Sequence, residues 1–206
     1  MNIETILSNA SVIPVIEIPN LDVVSDLATA LSGGGLKVIE LTLRSDCALD
    51  ALSNMKAQAP DLFIGMGTIL SEADVEKSID AGADFLVTPG ASPSLLAALK
   101  SAGRPALPGV ATVSEAITAI DAGFNALKFF PAEASGGIPV LKAIHAVLPN
   151  VSFCPTGGID AKKAADYLAL PNVPCVGGSW IAPKNLIANQ DWNAIEHNAK
   201  IASALK

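Results

Sequence analysis

The sequence predicts an α/β fold of eight strand–helix units closed into a (β/α)8 barrel of the TIM type, a single domain over residues 1–206 with a short N-terminal helix. Three observations carry that expectation. Extended, β-branched runs recur with centres about 20 to 26 residues apart, the length of one strand–helix unit with short loops. The stretches between them carry helix-start and helix-stop signals. No G-x-G-x-x-G follows the first run, which disfavours an open, doubly wound sheet. At 206 residues the chain is a lean example of a fold that begins near ~200.

In chain order the expected strands are VIPVIEI from Val12, KVIELTL from Lys37, FIGMG from Phe63 and DFLVT from Asp84. PALP from Pro105, ALKFF from Ala126, VSFCP from Val151 and VPCV from Val173 complete the eight. Asn20 is placed to cap a helix with Leu21, Val24, Leu27 and Leu31 on one face, stopped by Gly33, Gly34 and Gly35. Ser71 caps the next clear helix, and Ser92 before Pro93 has the cap-then-proline order. Thr112 with Glu115 matches a capping box, and Asp160 opens AKKAADYL. The segments DAGADFL and DAGFNAL echo one another at the passage from helix to strand.

Composition narrows the function classes. Half of the residues are hydrophobic but only 4 % are aromatic, so the core must rest on Ala, Val, Ile and Leu. Mean hydropathy is +0.46, yet no run approaches the ~20 apolar residues of a membrane span. The start, MNIETILSNA, has no basic head before an apolar core, so a cytoplasmic protein without a signal peptide is expected. A net charge of −7 with scattered lysines disfavours nucleic acid as a partner. Cys47, Cys154 and Cys175 are far apart and form no C-x-x-C, as in reduced proteins. His145 and His197 fall in helical patterns as surface residues, and no ligand-spaced cluster suggests a metal. No cofactor is expected.

Alternation along the strands assigns the interior. In strand two, Ile39, Leu41 and Leu43 form the apolar face that must meet helices, which aims Val38, Glu40, Thr42 and Arg44 inward or at the mouth. In strand six, Leu127 and Phe129 face the helices while Ala126, Lys128 and Phe130 face in. Strand seven places Ser152, Cys154 and Thr156 inward. A lysine and a glutamate therefore share an enclosed space. A buried pair adds little stability by itself, because desolvation offsets the Coulomb attraction, and barrels place their chemistry at the carboxyl ends of strands. Burial disfavours the charged form of an amine and releases a nucleophile able to form a Schiff base, whereas a nearby carboxylate favours the ammonium. Two glycine turns, PTGGID from Pro155 and VGGSW from Val176, follow the last two strands, where barrels commonly bind phosphate. Ser179 offers a hydroxyl there.

LKVIELTLR from Leu36, GMGTIL from Gly65, TPG from Thr88, LKFFPAE from Leu127, FCPTGGI from Phe153 and GGSW from Gly177 together resemble the 2-keto-3-deoxy-6-phosphogluconate (KDPG) and 4-hydroxy-2-oxoglutarate aldolases. These are class I, Schiff-base enzymes of sugar-acid breakdown. The likeness runs from about Val12 to Trp180 with the motifs in order. It implies a homotrimeric barrel that splits a keto-acid phosphate into pyruvate and glyceraldehyde 3-phosphate, without a metal. By position, Lys128 would form the imine and Glu40 would shuttle protons. Arg44 would bind the pyruvyl carboxylate with help from Thr68, and Pro89 and Phe130 would shape the pyruvyl pocket. Thr156, Gly157, Gly158, Gly178 and Ser179 would surround the distal hydroxyls and the phosphate. Some relatives carry arginine at the end of strand one, where this chain has Glu17; facing the mouth, Glu17 would repel an anion. The residues also admit a phosphosugar isomerase or synthase with Lys128 as general acid, or a non-catalytic phosphosugar-binding protein.

Overall fold

The computed structural model describes residues 2–205. Among them nine strands alternate with helices: β1 (Val12–Ile16), β2 (Val38–Thr42), β3 (Phe63–Gly67), β4 (Phe85–Val87), β5 (Ala106–Leu107), β6 (Gly109–Val110), β7 (Ala126–Phe129), β8 (Ser152–Pro155) and β9 (Val176–Gly178). The helices are α1 (Ile3–Ser8), α2 (Val24–Gly33), α3 (Ala48–Gln58), α4 (Glu72–Asp80), α5 (Pro93–Ser101), α6 (Val113–Asp121), α7 (Gly137–Val147), α8 (Ala161–Leu168), α9 (Lys184–Ala188) and α10 (Trp192–Ser203). Every strand pairing is parallel. A curled six-stranded sheet runs β5-β4-β3-β2-β1-β9, and a second sheet runs β6-β7-β8.

Two short contacts join the sheets. Pro108 alone separates β5 from β6, and its carbonyl accepts from Lys128 N–H at 2.8 Å. At the other edge, Thr156 forms a parallel bridge with Gly177.

Three strands depart from the sequence reading by more than one residue at an end. The expected fifth strand is two short pieces, because Pro108 has no N–H to give a ladder. The first strand ends at Ile16 rather than Ile18. The eighth begins at Val176, not Val173: Val173 N–H closes a turn onto Leu170 O, Pro174 lacks an N–H, and pairing starts where Val176 N–H reaches Ser11 O at 3.0 Å. Gly177 and Gly178 thus belong to a strand rather than a turn.

Helix starts follow local chemistry. Thr112 and Glu115 form the reciprocal capping box, Ser92 caps α5 ahead of Pro93, and Asp160 accepts from the N–H groups of Lys162 and Lys163. Ser71 caps α4 with Asp74 as its box partner. Asn20 caps a short 3-10 turn, Leu21–Val23, that leads into α2.

Strand alternation divides the apolar residues into two cores. Ile39, Leu41, Ile64, Met66, Leu86, Leu127 and Phe129 pack outward under the helices. Ile13, Val38, Phe85, Val87, Leu107, Ala126, Cys154 and Cys175 pack inward, together with Ile6 and Leu7 of α1. The inner set fills the amino-terminal part of the interior. Gly65 makes room there, since a Cβ at that position would lie 2.3 Å from the Phe85 ring. Along β2 and β7, the next inward residues toward the carboxyl ends after Val38 and Ala126 are Glu40 and Lys128.

Candidate active site

Lys128 and Glu40 are 5 % and 4 % exposed. Lys128 Nζ donates to both carboxylate oxygens of Glu40, at 3.1 and 3.3 Å. The two residues come from different sheets and are 88 positions apart in sequence, so only the packing of the two sheets brings them together. The Phe130 ring lies beneath the ammonium, 5.5 Å from Nζ to its centroid, in cation–π range. The inward placement of Lys128, Glu40 and Phe130 read from alternation is what the structure shows.

Gly67 is a residue that sequence reasoning missed. A Cβ there would sit 2.0 Å from Glu40 Oε1, so the carboxylate occupies the space glycine leaves. In the sequence this glycine is one of two in an apolar strand, and nothing local reports its neighbour. Thr68, next in the chain, has φ +63°. A β-branched residue in the left-handed region is strained. Pro89 follows the buried Thr88, whose Oγ1 accepts from Gly109 N–H at 3.0 Å. A Cβ on Gly109 would strike the Pro89 carbonyl at 2.3 Å, so this corner closes only with glycine.

Arg44 leaves the end of β2 half-exposed. Its Nε donates to Thr42 Oγ1 at 3.2 Å and faces Glu17 Oε2 at 3.3 Å. Thr42 in turn donates to Ile16 O at 3.0 Å. These bonds hold the guanidinium by Nε and leave its two-nitrogen end for a ligand. Glu17 also accepts from Lys184 Nζ at 2.7 Å. The expected bare repulsion from Glu17 is therefore corrected: its charge is shared between two cations, one of them invisible in the sequence motifs.

Beyond the end of β8, Gly157 and Gly158 have φ +106° and +79°, which L side chains rarely adopt. Their turn is anchored by Ala132 N–H to Thr156 O at 2.8 Å and Glu133 N–H to Gly157 O at 3.1 Å. Thr156 is buried and packs on Gly177, where a Cβ would be 2.2 Å from its Oγ1. Gly178 is buried in β9, and Ser179 is exposed just beyond it.

A polar clamp backs this turn. The Glu133 carboxylate accepts from Lys163 Nζ and from the hydroxyl of buried Tyr167, each at 2.5 Å, and Lys163 also donates to Gly158 O at 3.2 Å. The Lys163 bond, then the Tyr167 bond, holds the Glu133 carboxyl below its ordinary range. Burial, followed by Glu133, pushes the Tyr167 hydroxyl well above its own. A carboxyl lowered on folding contributes stability above its unfolded value of ~4.3 and loses it as pH falls through the folded value. Tyr167→Phe should therefore cost about 1 kcal/mol at pH 7, and denaturant melts should show the gap shrinking at pH 3. An equal gap at both pH values would rule out the charged clamp.

Among the described residues no group of His, Cys, Asp and Glu could hold a metal ion. His197 is exposed on α10, as read from sequence, but His145 is half-buried on α7, packed where that helix meets the chain near Asn172.

A parallel α/β fold that encloses a lysine against a carboxylate is the arrangement of a class I aldolase, a lyase that works through a lysine imine. Residues 3–198 match the model of the KDPG and KHG aldolase family, and the chain belongs to that family. It is 41 % identical to the 2-dehydro-3-deoxy-phosphogluconate aldolase of Pseudoalteromonas atlantica, over 98 % of this chain and 94 % of that one. It is also 41 % identical to the KHG/KDPG aldolase of Escherichia coli, over 97 % and 93 %. The KDPG aldolase of Legionella pneumophila, solved with pyruvate captured as a covalent carbinolamine intermediate, superposes with a TM-score of 0.97 at 44 % identity, covering 99 % of each chain.

Proposed function

We propose that the chain is one closed (β/α)8 barrel that cleaves 2-dehydro-3-deoxy-6-phosphogluconate to pyruvate and glyceraldehyde 3-phosphate through an imine on Lys128. The contact at Pro108 and the Thr156–Gly177 bridge support closure. The observation that carries the activity is the sealed pair, Lys128 Nζ 3.1 Å from Glu40 Oε1.

At that distance the ammonium can pass a proton to the carboxylate, giving a neutral amine and a carboxylic acid. Nζ adds to the C2 carbonyl, and the acid protonates the departing hydroxyl, so water leaves and an iminium forms. Glu40, again a carboxylate, takes the proton of the C4 hydroxyl. The C3–C4 bond breaks, its electrons enter the iminium as an enamine, and the aldehyde departs. Protonation at C3 and hydrolysis of the imine release pyruvate and restore the amine. Arg44 binds the pyruvyl carboxylate with two parallel hydrogen bonds, Thr68 adds a hydroxyl, and Pro89 and Phe130 wall the methyl side. Thr156, Gly157, Gly158, Gly178 and Ser179 surround the distal hydroxyls and phosphate, where turn N–H groups favour an anion. 4-Hydroxy-2-oxoglutarate presents the same reacting carbons and is cleaved by the same steps.

Incubation with pyruvate and borohydride should add a reduced pyruvate to the intact protein, with the adduct mapping to Lys128. An unchanged mass would remove imine chemistry and leave an isomerase or a binding protein. Homotrimer assembly is part of this reading. Val113 and Ile117, exposed one turn apart on α6, are apolar surface of the kind an assembly covers, and light scattering measures the stoichiometry. Cytoplasmic residence accords with free Cys47, Cys154 and Cys175; no helix among the described residues is long and apolar enough to cross a membrane.

A further inference from the structure

We infer that Lys184 recognises the terminal phosphate of the substrate, and that Glu17 is a positioning residue that holds Lys184 and Arg44 at opposite ends of the site. The inference rests on the aldolase reading above and extends it to substrate selection.

Glu17 follows β1, and β1 lies between β9 and β2 in the sheet. Its carboxylate therefore sits between the strand end that leads to Ser179 and the strand end that carries Arg44. One oxygen takes Lys184 Nζ at 2.7 Å, and the other faces Arg44 Nε at 3.3 Å. A single anion thus joins two cations at the strand ends, one on either side of β1. The two bonds differ in permanence. Arg44 is fastened a second time, through Thr42. Lys184 has Glu17 as its only hydrogen-bond partner among the described residues, and its side chain is 75 % exposed. Exposed ion pairs are weak because water and salt screen them. A phosphate, with about two negative charges at neutral pH, can draw Lys184 away from Glu17 without a large loss.

The other cation near the glycine turn does not compete for this role. Lys163 Nζ is bound to Glu133 and to Gly158 O, and its task is to hold the turn in shape. The cluster of Arg44, Lys184 and Glu17 carries one net positive charge before substrate arrives. The cation that answers the phosphate then comes from the β9 side, on a residue separated from Glu17 by 167 positions.

The test compares cleavage of the phosphorylated and unphosphorylated 2-keto-3-deoxy acids by the full chain and its variants. Lys184→Met should raise KM for the phosphorylated substrate about 10-fold while moving kcat far less. Preference for the phosphorylated over the unphosphorylated acid should fall by a similar factor, and Lys184→Arg should restore it. Glu17→Gln should raise the pyruvate concentration needed for half-maximal borohydride trapping, because Arg44 loses its anionic support. Equal effects of Lys184→Met on both substrates, or none on either, would overturn the assignment of Lys184. Unchanged trapping in Glu17→Gln would overturn the positioning role. Failure of the aldolase reading shows itself separately, as absence of the pyruvate adduct in the unsubstituted protein.

Discussion

Lys128→Met is expected to abolish cleavage and to destabilise the protein by about 3–5 kcal/mol, the cost of leaving a buried charge without its partner. Methionine fills a volume close to that of lysine, so the loss is electrostatic rather than a cavity effect. Glu40, 4 % exposed, would retain a carboxylate facing a thioether. Pairing the change with Glu40→Leu removes the stranded charge, and most of the lost stability should return while activity stays absent. Denaturant unfolding of both variants at neutral pH, with pyruvate trapping as the chemical readout, separates the two effects. A single variant as stable as the parent would mean that the two groups do not form an ion pair, and the proton exchange proposed above would have no basis.

Gly67→Ala should lower kcat by about 10²–10⁴, the range general acid–base groups contribute, although residue 67 touches no substrate. The added Cβ would lie 2.0 Å from Glu40 Oε1 and 2.7 Å from its carboxyl carbon, contacts that atoms do not tolerate. The carboxylate must swing away from Nζ, since the backbone of β3 is fixed on both sides by β2 and β4. Imine trapping at high pyruvate should slow yet still reach completion, because Lys128 keeps its place in β7 and the lesion falls on the proton transfers that form and consume the imine. If kcat stays within a factor of a few (~3-fold) of the parent, the carboxylate has more freedom than the close packing at Gly67 implies, and Glu40 is not a group whose placement limits the rate.

Some of this architecture is written in short stretches of sequence. The period-two pattern of KVIELTL and ALKFF states which residues face helices, and so which face inward, because backbone pleating alone fixes the alternation. That is why Glu40, Lys128 and Phe130 could be aimed at one interior before any contact was known. Capping chemistry is equally local: Thr112 with Glu115, Ser92 with Pro93, and Asp160 all start helices where they were read. The strand expected from Val173 starts later for a local reason, a proline lacking the N–H that pairing requires. The fifth strand split at Pro108 for the same reason.

Other features have no local signature. In sequence Gly67 looks like an ordinary strand glycine and Gly177 like part of a turn, yet each is the space into which another residue's side chain projects, Glu40 for one and Thr156 for the other. Glu17 read as a misplaced charge until the fold set it against Lys184 and Arg44. The tie among Tyr167, Glu133 and Lys163 joins a helix to a loop some thirty residues earlier.

By itself, then, the sequence determined the order of elements, the facing of each strand and the chemical groups available, because these follow from backbone geometry and from bonds spanning a few residues. Packing of the two sheets decided which groups meet: the distance from amine to carboxylate, the vacancy beside Glu40 and the sharing of Glu17 between two cations. Those quantities depend on positions of atoms far apart along the chain, and only packing the whole set of strands fixes them to within the fractions of an ångström that proton transfer and hydrogen bonding require.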